Sequence, residues 1–258
     1  MPVSVRYMGR LGNNVIQYAA ARIFAEDNDL ILSTPWCWPD WLATTNCASG
    51  AREVGLDHVG GVIFDDKNFD MTLKCAPPGF PYTFQGYFQD SAWLIPNRER
   101  IKDFFSGESL SFRYLPPRQH PVNDKDLGIH VRLTDGATLS GLNHIIHPDW
   151  YEQILSQEAK NFRKIVVITD DIHAWGMFDV FKKYGAEIKS QTVPQDFHEL
   201  MTFKNLVFAP STFSYTAALL GHCARAWVHD PFITIPEVKL DFPGSIKVRG
   251  SFINGRCK

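Results

Sequence analysis

DLGIHVRLTD, residues 126–135, has the pattern of a short buried strand that reaches the edge of a sheet and ends in polar side chains. Apolar residues alternate with His130 and Arg132, and turn-forming residues follow at once. In open α/β sheets, ligands bind beyond the carboxyl ends of the strands. The planar guanidinium of Arg132 can hold two phosphate oxygens, so the stretch predicts an anion site. The alternative is a surface ion pair between Arg132 and Asp135, with His130 in the core.

The composition excludes several classes of protein. The 258 residues carry a net charge of -2, so there is no basic excess to attract nucleic acid, and no nucleic-acid partner is expected. The five cysteines form no CxxC pair, which argues against a zinc site and favours a reducing, cytoplasmic location. No signal peptide pattern and no run of about 18 apolar residues is present, so no transmembrane segment is expected. A peripheral position at a membrane surface remains compatible with this composition.

A strand, a glycine loop and a helix open the chain. Val3–Tyr7 alternates like a strand, Gly9–Asn14 breaks it, and Val15–Ala25 is strongly helical. Asn13 or Asn14 is expected to cap this helix, whose first N–H groups would form an anion or hydroxyl site. The alternative is a plain tight turn. A second apolar run follows at residues 30–33, and this β-α-β order predicts a parallel sheet.

The next informative segment is aromatic. Residues 81–90 are predicted to be a strand with Gly86 at its centre, where a glycine often marks the close approach of a ligand or another backbone. Gln89 and Asp90 then lie at the exit of the strand, before a helical stretch at residues 91–105. The prolines of residues 113–121 indicate a linker between two lobes.

The second half alternates strands and helices. Strands are predicted at residues 164–171, 205–210 and 224–228, the last being the final strand of the chain, and helices at 150–161, 172–184, 197–203 and 215–221. Three strand ends carry polar side chains: His130 with Arg132, then Asp170–Asp171, then Ser211–Thr212. These ends should converge on one crevice, which suits a nucleoside diphosphate.

Five segments resemble, in order, the motifs of the α-1,2-fucosyltransferase family (glycosyltransferase family 11), and the central one is also similar to that of α-1,6-fucosyltransferases. The segments are GRLGNNVIQYA (residues 9–19), QGYFQ (85–89), HVR (130–132), TDD (169–171) with Trp175, and STFSY (211–215). The resemblance implies an α/β, GT-B-like fold of two Rossmann-like lobes with parallel sheets and a cleft between them. Residues 1–120 would be the acceptor-side lobe and residues 121–258 the nucleotide-sugar-binding lobe, with the extreme C-terminus packing back on the first.

The resemblance also implies roles for individual residues. Arg132 would hold the β-phosphate of the donor with His130 beside the nucleotide, and Asp170 or Asp171 would accept hydrogen bonds from guanine or ribose. The remaining donor-binding residues would be the hydroxyls of Ser211, Thr212 and Ser214 at a helix start, and Arg10, Gly12 and Asn13 in the loop that closes over the donor. The family has a second arginine after the first, and this chain has Leu133 there.

The implied activity is inverting transfer of fucose from GDP-β-L-fucose to a hydroxyl of an acceptor glycan, forming an α-1,2 linkage to galactose. Arg132 would stabilise the leaving diphosphate, and Asp135 and Asp90 are the candidate bases; the alternative is a base-free mechanism assisted by the phosphate. No cofactor is expected beyond the donor substrate, and no metal, because Thr169-Asp170-Asp171 lacks the Asp-x-Asp spacing. The alternatives are another nucleotide-sugar donor, which Leu133 motivates, or a catalytically silent glycan-binding or nucleotide-sugar-binding homologue. The sequence predicts neither the acceptor nor the oligomeric state.

Overall fold

The chain divides into two units, Met1–Arg118 and Gln119–Lys258, each of which contains a parallel sheet. A computed structural model describes residues 2–33, 43–44, 61–70, 80–105, 110–111, 122–133, 145–173, 176–208, 210–230 and 239–253. The division falls close to the boundary predicted between residues 120 and 121. Within the described ranges, no helix is long and apolar enough to cross a bilayer.

Unit 1 is a four-stranded parallel sheet with helices. Its elements are β1 (Pro2–Val5), α1 (Leu11–Asp27), β2 (Ile31–Ser33), β3 (Ala43–Thr44), β4 (Val62–Phe64), β5 (Tyr82–Phe84), α2 (Ser91–Leu94), α3 (Arg98–Phe104) and β6 (Leu110–Ser111). The sheet order is β2-β1-β5-β4, and β3 pairs antiparallel with β6. The predicted β-α-β unit at the start of the chain is therefore confirmed.

Aromatic side chains fill the core of unit 1. Phe24 of α1 lies between 5.1 and 5.5 Å, centroid to centroid, from the rings of Phe64, Tyr82 and Phe84. All four rings are buried, and burying a large apolar side chain of this kind contributes about 1.5–3 kcal/mol. Side-chain packing thus holds the short strands β4 and β5 against α1, while their few ladder hydrogen bonds join them to each other and join β5 to β1.

Unit 2 is a six-stranded, wholly parallel sheet. Its elements are β7 (Asn123–Val131), α4 (Pro148–Glu158), β8 (Lys164–Thr169), α5 (Asp179–Lys183), β9 (Glu187–Lys189), α6 (Val193–Thr202), β10 (Phe203–Phe208), α7 (Thr212–Leu220), β11 (Arg225–Asp230) and β12 (Ile246–Arg249). A turn of 3-10 helix, Ala159–Asn161, extends α4. The strand order is β12-β11-β10-β7-β8-β9.

This order is that of a doubly wound Rossmann-like sheet. Counted from β7 as the first strand of unit 2, the sheet reads 3-2-1-4-5-6 from the β9 edge. The chain therefore runs outward from β7 through β8 to β9, then returns through α6 to β10 on the other side of β7. Because β7 lies in the middle of the sheet, its residues Asp126 to Val131 are all buried.

The start of β7 is fixed by hydrogen bonds to a buried carboxylate. At its start, Arg163 donates to both carboxylate oxygens of Asp126 at 3.0 Å, and Asn123 donates to one of them at 2.8 Å. Burial alone would raise the pKa of Asp126, but these hydrogen bonds and the charge of Arg163 outweigh it and lower that pKa.

Trp150 fixes α4 against the sheet. Its side chain is fully buried and donates from Nε1 to the Val248 carbonyl of β12 at 2.8 Å.

Several sequence-based boundaries were wrong. The helix predicted at 172–184 reduces to α5, since Asp171 to His173 form a turn. The strand predicted at 81–90 ends at Phe84, so Gly86 lies in the following turn, although the close approach is real: a Cβ there would lie 2.9 Å from the Asp66 backbone nitrogen. Residues 224–228 are not the final strand, because β12 follows.

The end of the described chain packs within unit 2. The His147 N–H donates to the Ser251 carbonyl at 2.9 Å, and the Ile253 N–H donates to the Ile145 carbonyl at 2.7 Å. Residues 254–258 lie outside the described residues, so the predicted return of the extreme C-terminus to the first lobe stays a prediction.

We expect Gly221→Ala to destabilise unit 2 by about 1–3 kcal/mol, because the added methyl group would overlap fixed backbone. A Cβ at Gly221, the residue that ends α7, would lie 2.3 Å from the Met201 carbonyl oxygen of α6. Urea unfolding measures the loss. Gly185→Ala is the control, since its Cβ would meet nothing within 4 Å and its cost comes only from a φ of +67°. A smaller loss at Gly221 than at Gly185 would contradict this account of the α6–α7 contact.

Candidate active site

The candidate site lies at the carboxyl ends of β7 and β10. These neighbouring strands are the point at which the winding of the sheet reverses, because one connection leaves β7 toward β8 and the other leaves β10 toward β11. The connecting segments diverge there and leave a crevice between them. Arg132 follows β7 directly and Ser211 lies just after β10, so the topology brings two predicted site residues to this point.

Arg132 reaches across the switch point to the start of α7. Its Nη1 lies 3.3 Å from the hydroxyl oxygen of Ser211, to which it donates, and the guanidinium remains partly exposed. Ser211 is the N-cap of α7 and accepts from the Phe213 N–H at 3.2 Å. The first N–H groups of a helix attract anions, and a guanidinium beside them adds a full positive charge. This pairing can bind a phosphate group.

The other hydroxyls at the start of α7 differ in exposure. Thr212 is the first helical residue and is partly exposed, and its backbone N–H belongs to the first turn, whose donors have no partner within the helix. Ser214 is fully buried and donates to the Ser211 carbonyl at 3.1 Å. A hydroxyl has one proton to donate, and the Ser214 proton is donated within the helix start rather than to a ligand.

His130 lies beside this helix start rather than at its tip. It is buried on β7, and its ring centroid is 5.3 Å from that of Phe213. The Phe213 ring in turn packs against Phe197 of α6 at 5.2 Å. His130 therefore packs among rings that set the position of α7, next to the crevice.

The aspartates after β8 bind backbone N–H groups. Asp170 accepts from the Leu133 N–H at 2.7 Å, which links the ends of β7 and β8. Asp171 accepts from the His173 N–H at 2.8 Å and closes the turn that follows the strand. Both carboxylates thus order the rim of the crevice, and Asp170 is exposed there.

Leu133 belongs to the core. Its side chain is 6% exposed and packs in the apolar cluster of unit 2 with Ile145, Met177 and Phe178. The position where the resembled family has a second arginine is therefore a core position here. A charged side chain at this place would have to be buried or turned out of the cluster.

Asp196 is a residue of this region that sequence reasoning missed. It lies in the first turn of α6, is buried, and accepts from the backbone and side-chain N–H groups of Gln191 at 3.3–3.4 Å. Burial raises its pKa to about 6; the Gln191 hydrogen bonds oppose the shift, and the charges of Glu199 and Asp170 reinforce it. The helix was predicted to begin at Phe197, which left Asp196 in a loop.

A signal for Asp196 was present in the sequence. Thr192 and Gln195 form a capping box at the start of α6, with the Thr192 N–H donating to the Gln195 side chain at 3.2 Å. The pattern Thr-x-x-Gln before an apolar run indicates such a start. This pattern places Asp196 in the first helical turn.

The predicted site residues of unit 1 gather at the carboxyl ends of β1 and β5. The prediction that Asn13 or Asn14 caps α1 is wrong: the N-cap is Arg10, and no side chain caps the helix. Asn13 instead accepts from the Gln89 side chain at 2.8 Å, while Gly12 is buried in the first turn. Asp90 is the N-cap of α2 and accepts from the Ala92 N–H at 2.8 Å.

Two predicted residues cannot be placed. Asp135, a candidate base, and Trp175 lie outside the described residues. Among the residues that are described, no group of three or more His, Cys, Asp or Glu side chains could hold a metal ion.

Comparisons with known proteins find likeness in fold. No protein-family model matches the chain, and no curated protein matches it in sequence. A variant of Arabidopsis thaliana FUT1 in complex with GDP matches with 15% identity and a TM-score of 0.54, covering 85% of this chain and 68% of that one. E. coli heptosyltransferase WaaC with ADP matches with 11% identity and a TM-score of 0.50, covering 96% and 93%. Fucosyltransferase NodZ from Bradyrhizobium has a TM-score of 0.46, at 14% identity and 85% and 93% coverage.

The likenesses to FUT1 and WaaC confirm the predicted α/β, GT-B-like fold class. At such low identity they show the fold alone.

We expect Asp196→Asn to change the pH dependence of stability. A folded-state pKa of about 6 against an ordinary 3.8 means that the ionised form is penalised in the folded protein. Wild type therefore loses stability as the pH rises from about 4 to above 6, by up to about 3 kcal/mol, and the variant escapes this loss.

Urea unfolding at pH 4.5 and pH 8, values on the order of two units either side of that pKa, measures the effect. The free energy of unfolding of the variant relative to wild type should rise with pH. Asp179→Asn is the control, because that carboxylate is 75% exposed. A relative stability that is flat with pH would show that burial does not penalise the Asp196 charge.

Proposed function

We propose that this protein is an inverting glycosyltransferase whose unit 2 binds a nucleotide-sugar donor. The observation that carries the proposal is the pairing of Arg132 with the start of α7, through a 3.3 Å contact to Ser211, at the switch point of a doubly wound sheet. The GT-B-like fold supports it. So do the ligands of the two similar structures, GDP and ADP, which are nucleoside diphosphates.

The proposed chemistry follows from the leaving group. Transfer of a sugar breaks its bond to the β-phosphate, and negative charge grows on the departing diphosphate. Arg132 and the first N–H groups of α7 are preorganised donors for that charge, which is usually among the largest contributions to catalysis in such sites. A hydroxyl of the acceptor replaces the diphosphate, and its proton passes to a base or to the leaving phosphate.

Asp135 and Asp90 remain the proposed candidates for the base. A positioned carboxylate would contribute about 10² to 10⁴ in rate. Asp90 already accepts the Ala92 N–H as the N-cap of α2. That hydrogen bond fixes its orientation at the start of α2.

We further propose GDP-β-L-fucose as the donor and an α-1,2-linked product, on the strength of the five sequence motifs. In this proposal Asp170 or Asp171 accepts hydrogen bonds from guanine or ribose, and Arg10, Gly12 and Asn13 stay candidate donor-binding residues. The buried side chain of Leu133 favours a second candidate, a different nucleotide sugar, because this position adds no positive charge for the diphosphate.

A panel of donors separates these candidates. Release of free nucleoside diphosphate would be measured with GDP-fucose, GDP-mannose and UDP-sugars in the presence of an acceptor mixture. Preferential turnover of GDP-fucose supports the first candidate, and preferential turnover of another donor supports the second. Nucleotide binding without any turnover would favour a catalytically silent homologue.

We expect Arg132→Ala to weaken GDP binding by about 10- to 100-fold, the range for losing a charge-assisted hydrogen bond. Arg132→Lys should lose part of this affinity, because an ammonium keeps the charge but not the planar fork. Isothermal titration calorimetry gives the dissociation constants. Lys182→Ala, at an exposed position on α5, is the matched control for loss of one positive charge. Unchanged GDP affinity in Arg132→Ala would remove Arg132 from the donor site.

A further inference from the structure

The turn after β5 is held in an unfavourable conformation. Phe88 has a φ of +54°, a left-handed conformation that costs a bulky residue about 1–2 kcal/mol. Its ring is nonetheless buried, 5.4 Å from Phe84 and 4.9 Å from Phe69. Backbone strain of this kind persists only where the surroundings fix it, and it concentrates at functional sites.

Asp66 fixes one side of this turn. Its carboxylate accepts from the Tyr87 N–H at 2.9 Å and from the Phe88 N–H at 2.5 Å. Gly86 lies directly against Asp66, since a Cβ there would be 2.9 Å from the Asp66 nitrogen. The carboxylate therefore binds two consecutive backbone donors at the point of strain.

Two amide side chains fix the other side. Gln17 of α1 is fully buried and donates to the Gly86 carbonyl at 2.9 Å. Gln89 donates from Nε2 to Asn13 Oδ1 at 2.8 Å. Gln89 is 7% exposed, whereas Asn13 is partly exposed in the first turn of α1. The turn is thus joined to the β1–α1 loop through a pair of uncharged amides.

Tyr87 is the exposed aromatic residue of this turn. Its side chain is 41% exposed while Phe88 and Gln89 beside it are buried. The other exposed large apolar residues described in unit 1 are Ile31, Ile63 and Phe80, and these lie at strand starts or along the edge strand β4. Tyr87 alone of this group lies beyond the carboxyl end of a strand, in the same turn as Gln89.

We propose that Tyr87, Gln89 and Asn13 form a subsite for a neutral pyranose. One face of a pyranose carries C–H groups and packs against an aromatic ring, while its hydroxyls extend from the rim. Amides suit these hydroxyls because each amide offers both a donor and an acceptor. The carboxylate of Asp66 directly beneath the turn disfavours an anionic ligand. This inference rests on the proposed function, in which the bound sugar is the acceptor.

The strained turn gives the subsite its rigidity. A flexible loop would lose conformational freedom on binding a sugar, and a turn held by Asp66 and Gln17 has already lost it. Phe88 is kept in this conformation because burying its ring contributes about 1.5–3 kcal/mol, which offsets the strain of the positive φ. Keeping phenylalanine there places its ring in the core and directs the neighbouring Tyr87 outward.

Saturation-transfer difference NMR with neutral disaccharides tests the subsite, using lactose, cellobiose and N,N'-diacetylchitobiose as probes on the full chain. We expect at least one of them to bind, and Tyr87→Ala to raise its dissociation constant by about two- to tenfold. Tyr87→Phe should bind as wild type does, because the ring is kept. Phe80→Ala, which removes an exposed ring from the opposite end of β5, should also leave sugar binding unchanged.

The outcomes separate this inference from the proposed function. Isothermal titration of the same proteins with GDP reports on unit 2, and its result should be the same in Tyr87→Ala as in wild type. No binding of any probe, equal binding by wild type and Tyr87→Ala, or displacement of the sugar by GDP would each overturn the subsite. Sugar binding that depends on Tyr87 in a protein that does not bind GDP would support the subsite while removing the proposed donor.

Discussion

The reversal of winding between β7 and β10 is the constraint on which unit 2 depends. All six strands are parallel, so every carboxyl end lies at the same edge of the sheet. The connections from β7 and β10 leave in opposite directions, which leaves a crevice between them. The contact of Arg132 with Ser211 spans this gap. A positive charge therefore lies at a point in unit 2 where the winding of the sheet leaves room for a ligand.

Aspartates at strand ends stabilise both units through the backbone. Asp66 and Asp90 in unit 1, and Asp170 and Asp171 in unit 2, each accept at least one backbone N–H at 2.5–2.9 Å. Strand ends leave such donors without ladder partners, and a short carboxylate satisfies them. A carboxylate after a strand is therefore an ambiguous signal in the sequence, because positioning the backbone and binding a ligand call for the same residue at the same place.

Leu133 is a core residue within a stretch that resembles the motif of the fucosyltransferases. The strand before it and the arginine at its end resemble the family motif, but the next side chain turns into the apolar cluster of unit 2. Its backbone N–H meanwhile donates to Asp170. Position 133 thus contributes to the crevice through its backbone and to the core through its side chain. The positive charge among the described residues at this end of β7 is that of Arg132.

The sequence by itself determined the elements whose signals are local. The opening β-α-β unit, β7, β8 and the Pro148 start of α4 follow from periodicity and capping, which depend on residues a few positions apart. The edge strands β9 and β12 were missed because they are short and half exposed, so no apolar pattern marks them. Only the tertiary structure decided that β10 adjoins β7, that Asp196 is buried within reach of the Asp170 charge, and that Gln89 meets Asn13. These contacts join residues up to about 80 positions apart, and their free energy comes from packing and desolvation, which no short window of sequence records.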